Sequence, residues 1–474
     1  MGFRPRFVVE PTCGVGSFLG AAHERFPGIE AGLGVDINPE YIARASRLLS
    51  GWASADLRVA SFFELDWRSL LGGCSEPILV IGNPPWVTNA ELASLGSNNI
   101  PAKSNFQGRK GFDAISGKSN FDIAEWMLIK LLEALSGRRS LLAMLCKTAV
   151  ARRTLSHVWK DGLGVRKAKM FLIDAAVHFG AAVDACLLVC EMGDCPSQEC
   201  EVYQAIGDRS PSHVFGCRDG QLVRDVAGYE RWKHLRGTES YKWRSGVKHD
   251  CSKVMELRRL GQLYSNGLDE AVALEATCLY PMLKSSEIAK SASVPERWML
   301  VTQESVGDDT SLIRERAPKT WEYLLTHADR LDRRGSSIYK GRPRFSVFGV
   351  GPYSFAPWKV AISGFYKKLA FAVVGPFEGR PVVLDDTAYC IPCESEEEAR
   401  YVASLLSCEQ ATEFFGAYIF WDAKRPITVE ILRRLDLVRL ADEVGTKDTL
   451  CRFLEKNHYV DAVGHEDNML FPVS

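Results

Sequence analysis

Two short apolar runs that break directly into turn residues constrain this chain more than anything else in it. Phe7-Val8-Val9-Glu10 gives way to Pro11-Thr12-Cys13-Gly14-Val15-Gly16-Ser17-Phe18 and then to a helical pattern running to Phe26. Ile78-Leu79-Val80-Ile81 gives way, after Gly82, to Asn83-Pro84-Pro85-Trp86. A strand, a glycine turn and a helix make a nucleotide-type cradle. A side chain at Gly14 or Gly16 would hold the backbone away from a ligand, and the turn needs unusual dihedrals. The pattern is not the dinucleotide fingerprint, whose third glycine is missing.

The same grammar repeats along the first two hundred residues. Seven candidate strands are Phe7 to Glu10, Ala31 to Asp36, Leu57 to Ala60, Ile78 to Gly82, Leu141 to Leu145, Lys169 to Ile173, and Asp184 to Glu191. Helical stretches separate most of them, the pattern of a parallel sheet with helices on both faces. The clearest helix is Phe121 to Leu135, with Phe121, Ala124, Met127, Leu128, Leu131, Leu132 and Leu135 at helical spacing. In open sheets of this kind ligands bind beyond the carboxyl ends of the strands, where Glu10, Asp36 and Asn83 all fall. Asp36 lies about twenty residues past the glycine turn, where a carboxylate can accept from ribose hydroxyls. Taken singly it also reads as a strand-end or helix-cap residue.

Asn83-Pro84-Pro85-Trp86 offers acceptors and an aromatic face for a planar amine. Asn and Pro are ordinary turn residues as well, and it is the combination with the upstream loop and Asp36 that favours chemistry. An exocyclic base nitrogen is a weak nucleophile because its lone pair is delocalised into the ring. If the Asn83 side-chain oxygen and the Pro84 carbonyl accept its two hydrogens, the lone pair can be aimed and the developing charge stabilised.

On these residues the chain resembles the S-adenosylmethionine-dependent N6-adenine DNA methyltransferases of bacterial restriction-modification systems, in their gamma arrangement of motifs. The resemblance is close over roughly the first two hundred residues and looser beyond. It implies a Rossmann-like, seven-stranded class I methyltransferase sheet followed by a C-terminal mixed, beta-rich target recognition domain. It also implies S-adenosylmethionine as cofactor, bound by Glu10, Thr12, Gly14, Gly16, Asp36, Ser61 and Phe62. Asn83, Pro84, Pro85 and Trp86 would be catalytic, with Phe179 in Val177-His178-Phe179-Gly180 on the opposite base face or, equally, in the core. The target adenine would be flipped out of duplex DNA, stacking on Trp86 offsetting part of that cost. Three departures stand out. The family's motif N-terminal to the cofactor loop is absent from the six residues before the first strand, Ser61 stands where an acid is frequent, and Cys146-Lys147-Thr148 stands where a proline is common.

The remaining features set the organisation. A chain of 474 residues exceeds the usual size of one core, and a net charge of −1 leaves charge distribution to decide about nucleic acid. The start leads directly into a strand and no apolar run is long enough to span a bilayer, so a cytoplasmic protein with mostly reduced cysteines is expected. Cys186, Cys190, Cys195 and Cys200 cluster, and Cys390 and Cys393 form a CxxC, but the spacings do not match a zinc site and no metal is expected. Val87 to Ser119 reads as a lid or DNA-contacting loop carrying Asn98, Asn99, Lys103, Arg109 and Lys110.

The expected division is a methyltransferase domain over 1–200, a connection or edge hairpin over 201–230, a recognition domain over 231–430 and a helical segment over 431–474. Within Asp329 to Lys368, Arg330, Arg333, Arg334, Lys340, Arg342, Arg344, Lys359, Lys367 and Lys368 alternate with aromatics. Such a tract is the footprint of a phosphate-contacting surface, or the solvated face of a beta-rich domain with an aromatic core. Lys340, Arg342 and Arg344 are the expected DNA contacts, with double-stranded DNA as partner and any restriction endonuclease a separate chain. Related Asn-Pro-Pro-aromatic motifs serve RNA adenine and protein glutamine, and a decayed DNA-binding subunit is a further alternative. The C-terminal tract weighs against the first pair and the intact Asn83 to Trp86 against the last.

Overall fold

Short aliphatic runs bounded by glycine, proline and asparagine build one sheet from the first 227 residues. The computed structural model describes residues 2–87, 122–180, 183–290 and 294–459, and the chain divides into two compact units, Met1–Ala227 and Gly228–Ser474. In the first unit the strands are β1 (Phe7–Glu10), β2 (Ala31–Asp36), β3 (Ala55–Val59), β4 (Ile78–Gly82), β5 (Ser140–Lys147), β6 (Val165–Asp174), β7 (Asp184–Met192), β8 (Glu199–Tyr203), β9 (His213–Arg218) and β10 (Gln221–Val223). The helices among its described residues are α1 (Ser17–Arg25), α2 (Pro39–Leu48), α3 (Trp67–Gly72), α4 (Ile123–Leu135), α5 (Thr148–Lys160) and α6 (Ala175–Phe179).

The ten strands lie in the order β10-β9-β8-β6-β7-β5-β4-β1-β2-β3. β3, β2, β1, β4 and β5 are mutually parallel, while β7 runs antiparallel between β5 and β6. The chain moves outward from β1 through β2 to β3 and then returns to lay β4 on the other side of β1. That reversal is a topological switch point, where a crevice opens beyond the carboxyl ends of the strands. The central strands are covered on both faces, which is why they read as continuous apolar runs. Val8, Val9, Ile78 and Val80 are fully buried.

Helix α4 shows how the sequence fixes this arrangement. Ile123, Met127, Leu128, Leu131, Leu132 and Leu135 are all buried, each contributing about 1.5–3 kcal/mol relative to exposure. The helix begins at Ile123, and Asp122 caps it by accepting from the Ala124 amide at 3.1 Å.

All seven expected strands are present, with β3 starting two residues and β6 four residues earlier. The expectation of a seven-stranded sheet is nevertheless corrected to ten strands among the described residues. The segment expected to be a connection or edge hairpin adds β8 alongside β6 and the β9–β10 hairpin beyond it. The hairpin turn is Asp219-Gly220, both with positive φ, the twist a tight turn between antiparallel strands requires. Residues 201–227 thus belong to the first unit.

The second unit is mixed α/β. A six-stranded sheet joins Ala271–Val272, Leu263–Ser265, Glu256–Leu260, Arg297–Leu300, Leu279–Leu283 and Val383–Leu384 in that order. A four-stranded sheet joins Arg244–Ser245, Ala388–Cys393, Trp358–Ser363 and Ala372–Val374. Leu257, Met282, Trp298, Tyr323 and Phe345 share the main core of this unit. Helices Val429–Leu432, Leu437–Glu443 and Lys447–Leu454 close the described chain.

Candidate active site

Glu10 ends β1, Asp36 ends β2 and Asn83 follows β4, and the parallel register Glu10↔Gly34 and Val9↔Val80 brings all three to one edge at the switch point. Between β1 and α1 the glycine turn is built by two residues with positive φ, Gly14 (50°) and Gly16 (81°). They are required for different reasons. A Cβ on Gly16 would meet Ala45 Cβ at 3.2 Å and Leu49 Cδ1 at 3.3 Å, so this glycine lets α1 lie against α2. A Cβ on Gly14 would meet nothing within 4 Å and would project into open space over the turn.

Asp36 ties the turn to β2. Its Oδ2 accepts from the Gly14 amide at 2.9 Å and its Oδ1 from the Asn38 amide at 2.8 Å. Each oxygen keeps a further lone pair for a hydroxyl. Thr12, at the start of the turn, donates its hydroxyl to the Asn83 carbonyl at 3.5 Å, linking the glycine turn to the Asn-Pro-Pro-Trp segment.

Glu10 is buried, and its Oε2 accepts from the Leu19 amide at 3.0 Å in the first turn of α1. Burial pushes its carboxyl up from the ordinary value to about 8. The amides of Leu19 and Phe18 oppose that shift without cancelling it, and the nearby Asp36 charge adds to it.

Asn83 and Pro85 are exposed, Pro84 is buried and Trp86 half-buried. The exit from this segment is clamped from two sides. Lys147, the last residue of β5, donates from Nζ to the Trp86 carbonyl at 3.0 Å and to Asp122 Oδ2 at 2.8 Å. The Ile123 amide donates to the Val87 carbonyl at 3.0 Å. Lys147 and Asp122 were not among the expected site residues. The available signal was a lysine terminating the otherwise apolar run Leu141 to Cys146, a costly position unless the charge is used.

Of the other expected residues, Ser61 is buried and its Oγ accepts from the Phe63 amide at 3.2 Å, capping a short turn. The Phe62 ring is buried among Trp67 (4.8 Å) and Trp126 (6.0 Å). Phe179 lies on α6 in the β6–β7 connection, and the pairing of Lys147 with Ala185 puts that connection at the same sheet edge as Asn83. Asn98, Asn99, Lys103, Arg109 and Lys110 lie outside the described residues.

In the second unit the basic tract is sorted by burial. Lys340 is exposed. Arg342 is half-buried, 5.9 Å from the Phe348 ring. Arg344 is exposed but paired with Asp332 at 2.7 Å. Two members turn inward, Arg334 in part and Lys359 completely, so the tract is not a uniform phosphate-facing stripe. Arg334 stacks 3.7 Å over the Tyr339 ring and donates to the His249 and Ser346 carbonyls. Lys359 is 1% exposed on a central strand, its Nζ donating to the Ala356 carbonyl at 2.6 Å. The sequence showed the charges but not which of them the packing would turn inward. Among the described residues no helix is long and apolar enough to cross a membrane, and no cluster of His, Cys, Asp or Glu could hold a metal ion.

A doubly wound sheet with a glycine turn and an exposed Asn-Pro-Pro-Trp segment at its switch point defines an α/β protein with its candidate site at the carboxyl ends of the parallel strands. The chain is 42% identical over 447 residues to the type II methyltransferase M.NspV of a Nostoc species, with 93% of each chain covered. It therefore belongs to the type II methyltransferases. Among solved structures it is similar to the type IIL restriction-modification enzyme MmeI in complex with DNA, with a TM-score of 0.53 and 14% identity. That likeness is one of fold, covering 90% of this chain and 61% of that one, so the chain spans about three fifths of MmeI's length. No family model matches the sequence.

Proposed function

We propose that this methyltransferase transfers a methyl group from S-adenosylmethionine to the exocyclic N6 of an adenine flipped out of duplex DNA, within a restriction-modification or phage-defence system. The observation that carries the reading is the exposed Asn83 side chain, one strand away from the glycine turn and tied to it by Thr12. The open space over Gly14 and the partly exposed Asp36 carboxylate suit a nucleoside. The cofactor supplies an electrophilic methyl on a sulfonium. The remainder is positioning by the chain itself.

Asn83 Oδ1 and the Pro84 carbonyl accept the two amine hydrogens and orient the nitrogen lone pair. As the N–C bond forms the S–CH3 bond would break to leave a neutral thioether, and the methylated nitrogen then gives one proton to solvent, so no side-chain base of perturbed pKa is needed to start the reaction. Trp86 supplies one stacking face, and Phe179 is assigned the other. Glu10, Thr12, Gly14, Gly16 and Asp36 hold the cofactor side, Ser61 and Phe62 forming its outer wall. Lys340, Arg342 and Arg344 are assigned to backbone phosphates, Arg344 by exchanging Asp332 for a phosphate. The relationship to a type II methyltransferase and the basic tract from Arg333 to Lys368 in the second unit favour DNA over RNA or protein glutamine.

The test is long-read sequencing of native DNA from cells expressing this chain or its Asn83→Ala variant. A sequence motif carrying N6-methyladenine only with the intact protein supports the reading. Methylation persisting in the variant removes Asn83 from the mechanism. A motif modified on cytosine instead would replace the adenine assignment.

A further inference from the structure

Soluble proteins keep large aromatic rings covered, and those left out are informative. Among the described residues three aromatic side chains are strongly exposed, Tyr41, Phe365 and Tyr366, and the last two are neighbours at 40% and 42% exposure. They occupy the turn that joins strands Trp358–Ser363 and Ala372–Val374 of the four-stranded sheet. Lys367 and Lys368 follow them directly and are also exposed.

The turn is held in this form. Ser363 Oγ accepts from the amides of both Phe365 and Tyr366 at 3.3 Å, and the Gly364 amide donates to the Thr387 carbonyl at 3.0 Å. Ser285 bonds Ser363 Oγ and donates to the same Thr387 carbonyl at 3.0 Å. Gly364 is needed for this close approach, since a Cβ there would sit 3.0 Å from Arg425 Nε and 3.1 Å from the Thr387 oxygen. Arg425 stands behind the tip, 5.3 Å from the Phe365 ring, and is itself held by the Asp386 carbonyl at 2.6 Å.

The charge around the tip is one-sided. No Asp or Glu occurs from Arg333 to Phe377. The acids on the adjoining strand turn are engaged, Asp385 with the Thr387 hydroxyl and Asp386 with Lys248. Two rings presented on a rigid turn beside two lysines match a partner with flat π faces spaced along a polyanion.

We propose that Phe365 and Tyr366 form a wedge that inserts against base faces of the DNA duplex, with Lys367 and Lys368 on the flanking phosphates. This deepens the DNA reading above and rests on it. Aromatic and apolar wedges partly unstack base steps and widen the bound surface, and they act on nearly any sequence because every base has a π face. The wedge therefore adds affinity and deforms the duplex without reading sequence.

The experiment compares the intact protein with Phe365→Ala/Tyr366→Ala and Lys367→Ala/Lys368→Ala, measuring binding to a target-bearing duplex by fluorescence anisotropy from low to moderate salt. Thermal melting checks that these surface variants fold. The ring variant is expected to lose about tenfold or more in affinity with its salt slope unchanged. In the lysine variant the slope of log affinity against log salt should fall by about 1.8. Donor–acceptor labels at the duplex ends should report less bending with the ring variant. If the intact protein binds and methylates DNA while both variants bind and bend it equally well, the wedge is overturned and the DNA reading stands. If the intact protein neither binds nor methylates DNA, both fall together.

Discussion

The Lys147 ammonium lies 2.8 Å from the Asp122 carboxylate and 3.0 Å from the Trp86 carbonyl. One side chain from the end of β5 thus joins the exit of the Asn-Pro-Pro-Trp segment to the first turn of α4. The Asp122 side chain is 5% exposed, so the pair is shielded from the competition with water that weakens surface ion pairs. The consequence is a fixed path for the backbone immediately after Trp86.

Replacing Lys147 by Met should therefore act on the placement of the base rather than on the cofactor. The expected result is a fall in kcat of roughly ten- to a hundredfold, the order a displacement of about 1 Å produces, with cofactor affinity unchanged. Lys147→Arg should recover part of the loss. Stability should drop by about 1–3 kcal/mol, because Asp122 is left buried without its cation, and Asp122→Asn in the same chain should recover some of it. Unaltered kcat in the Met variant would reduce the clamp to a purely structural bond.

Glu10 makes the fold itself sensitive to pH. Its carboxyl is raised from 4.5 to about 8 by burial, so between those values the folded chain holds a proton that the unfolded chain has released. Stability contributed by this proton is complete below pH 4.5 and is lost as pH rises toward 8, with a limiting slope of about 1.4 kcal/mol per pH unit. Glu10→Gln cannot release the proton. Melting temperatures of the two proteins should converge near pH 5 and separate in favour of the Gln variant toward pH 8. A constant difference across that range would show that Glu10 titrates normally.

The two glycines of the turn give a prediction that separates packing from binding. Gly16→Ala combines a positive φ with contacts at 3.2 and 3.3 Å to Ala45 and Leu49, so it should cost stability beyond the roughly 1–2 kcal/mol of the backbone alone. Gly14→Ala bears only the backbone term and points its methyl into open space. It should melt closer to the parent yet lose more cofactor affinity, as isothermal titration would show. Equal cofactor affinity in the Gly14 variant would move the ligand away from the turn.

How much of this could be read from residue order depends on what each feature needs. β1, β2 and β4 and the edge holding Glu10, Asp36 and Asn83 follow from short apolar runs with polar ends, a local signal that burial on both faces enforces. β8 to β10 were read no further than a connection or edge hairpin because their strands are short and mixed in polarity, although Asp219-Gly220 marks the hairpin turn. Lys147 could be seen as an oddity but not explained, since its partners Trp86 and Asp122 are distant in sequence and meet only once β5 lies beside β4. Lys359 shows the reverse error: a charge counted with its neighbours in sequence sits on an interior strand whose residues Lys359 to Ser363 are all buried, whereas Lys340, Lys367 and Lys368 lie outside the strands and reach solvent.

That burial of Lys359 leads to a prediction against the tract it was first placed in. Its ammonium donates to the Ala356 carbonyl at 2.6 Å, and desolvation lowers its pKa from 10.5 to about 8. Here the unfolded chain binds the proton more tightly, so stability should rise between pH 8 and 10.5 and show no slope from this group below pH 8. At neutral pH the buried charge is a cost, and Lys359→Met keeps the stem volume while removing it. The gain is offset by leaving the Ala356 carbonyl without its donor, and a net stabilisation on the order of 1 kcal/mol at pH 7 is expected, shrinking toward pH 10. DNA affinity and its salt slope should not change, whereas Lys340→Ala should lower the slope by about 0.9. A weaker salt dependence in the Lys359 variant would mean that this side chain reaches phosphate after all.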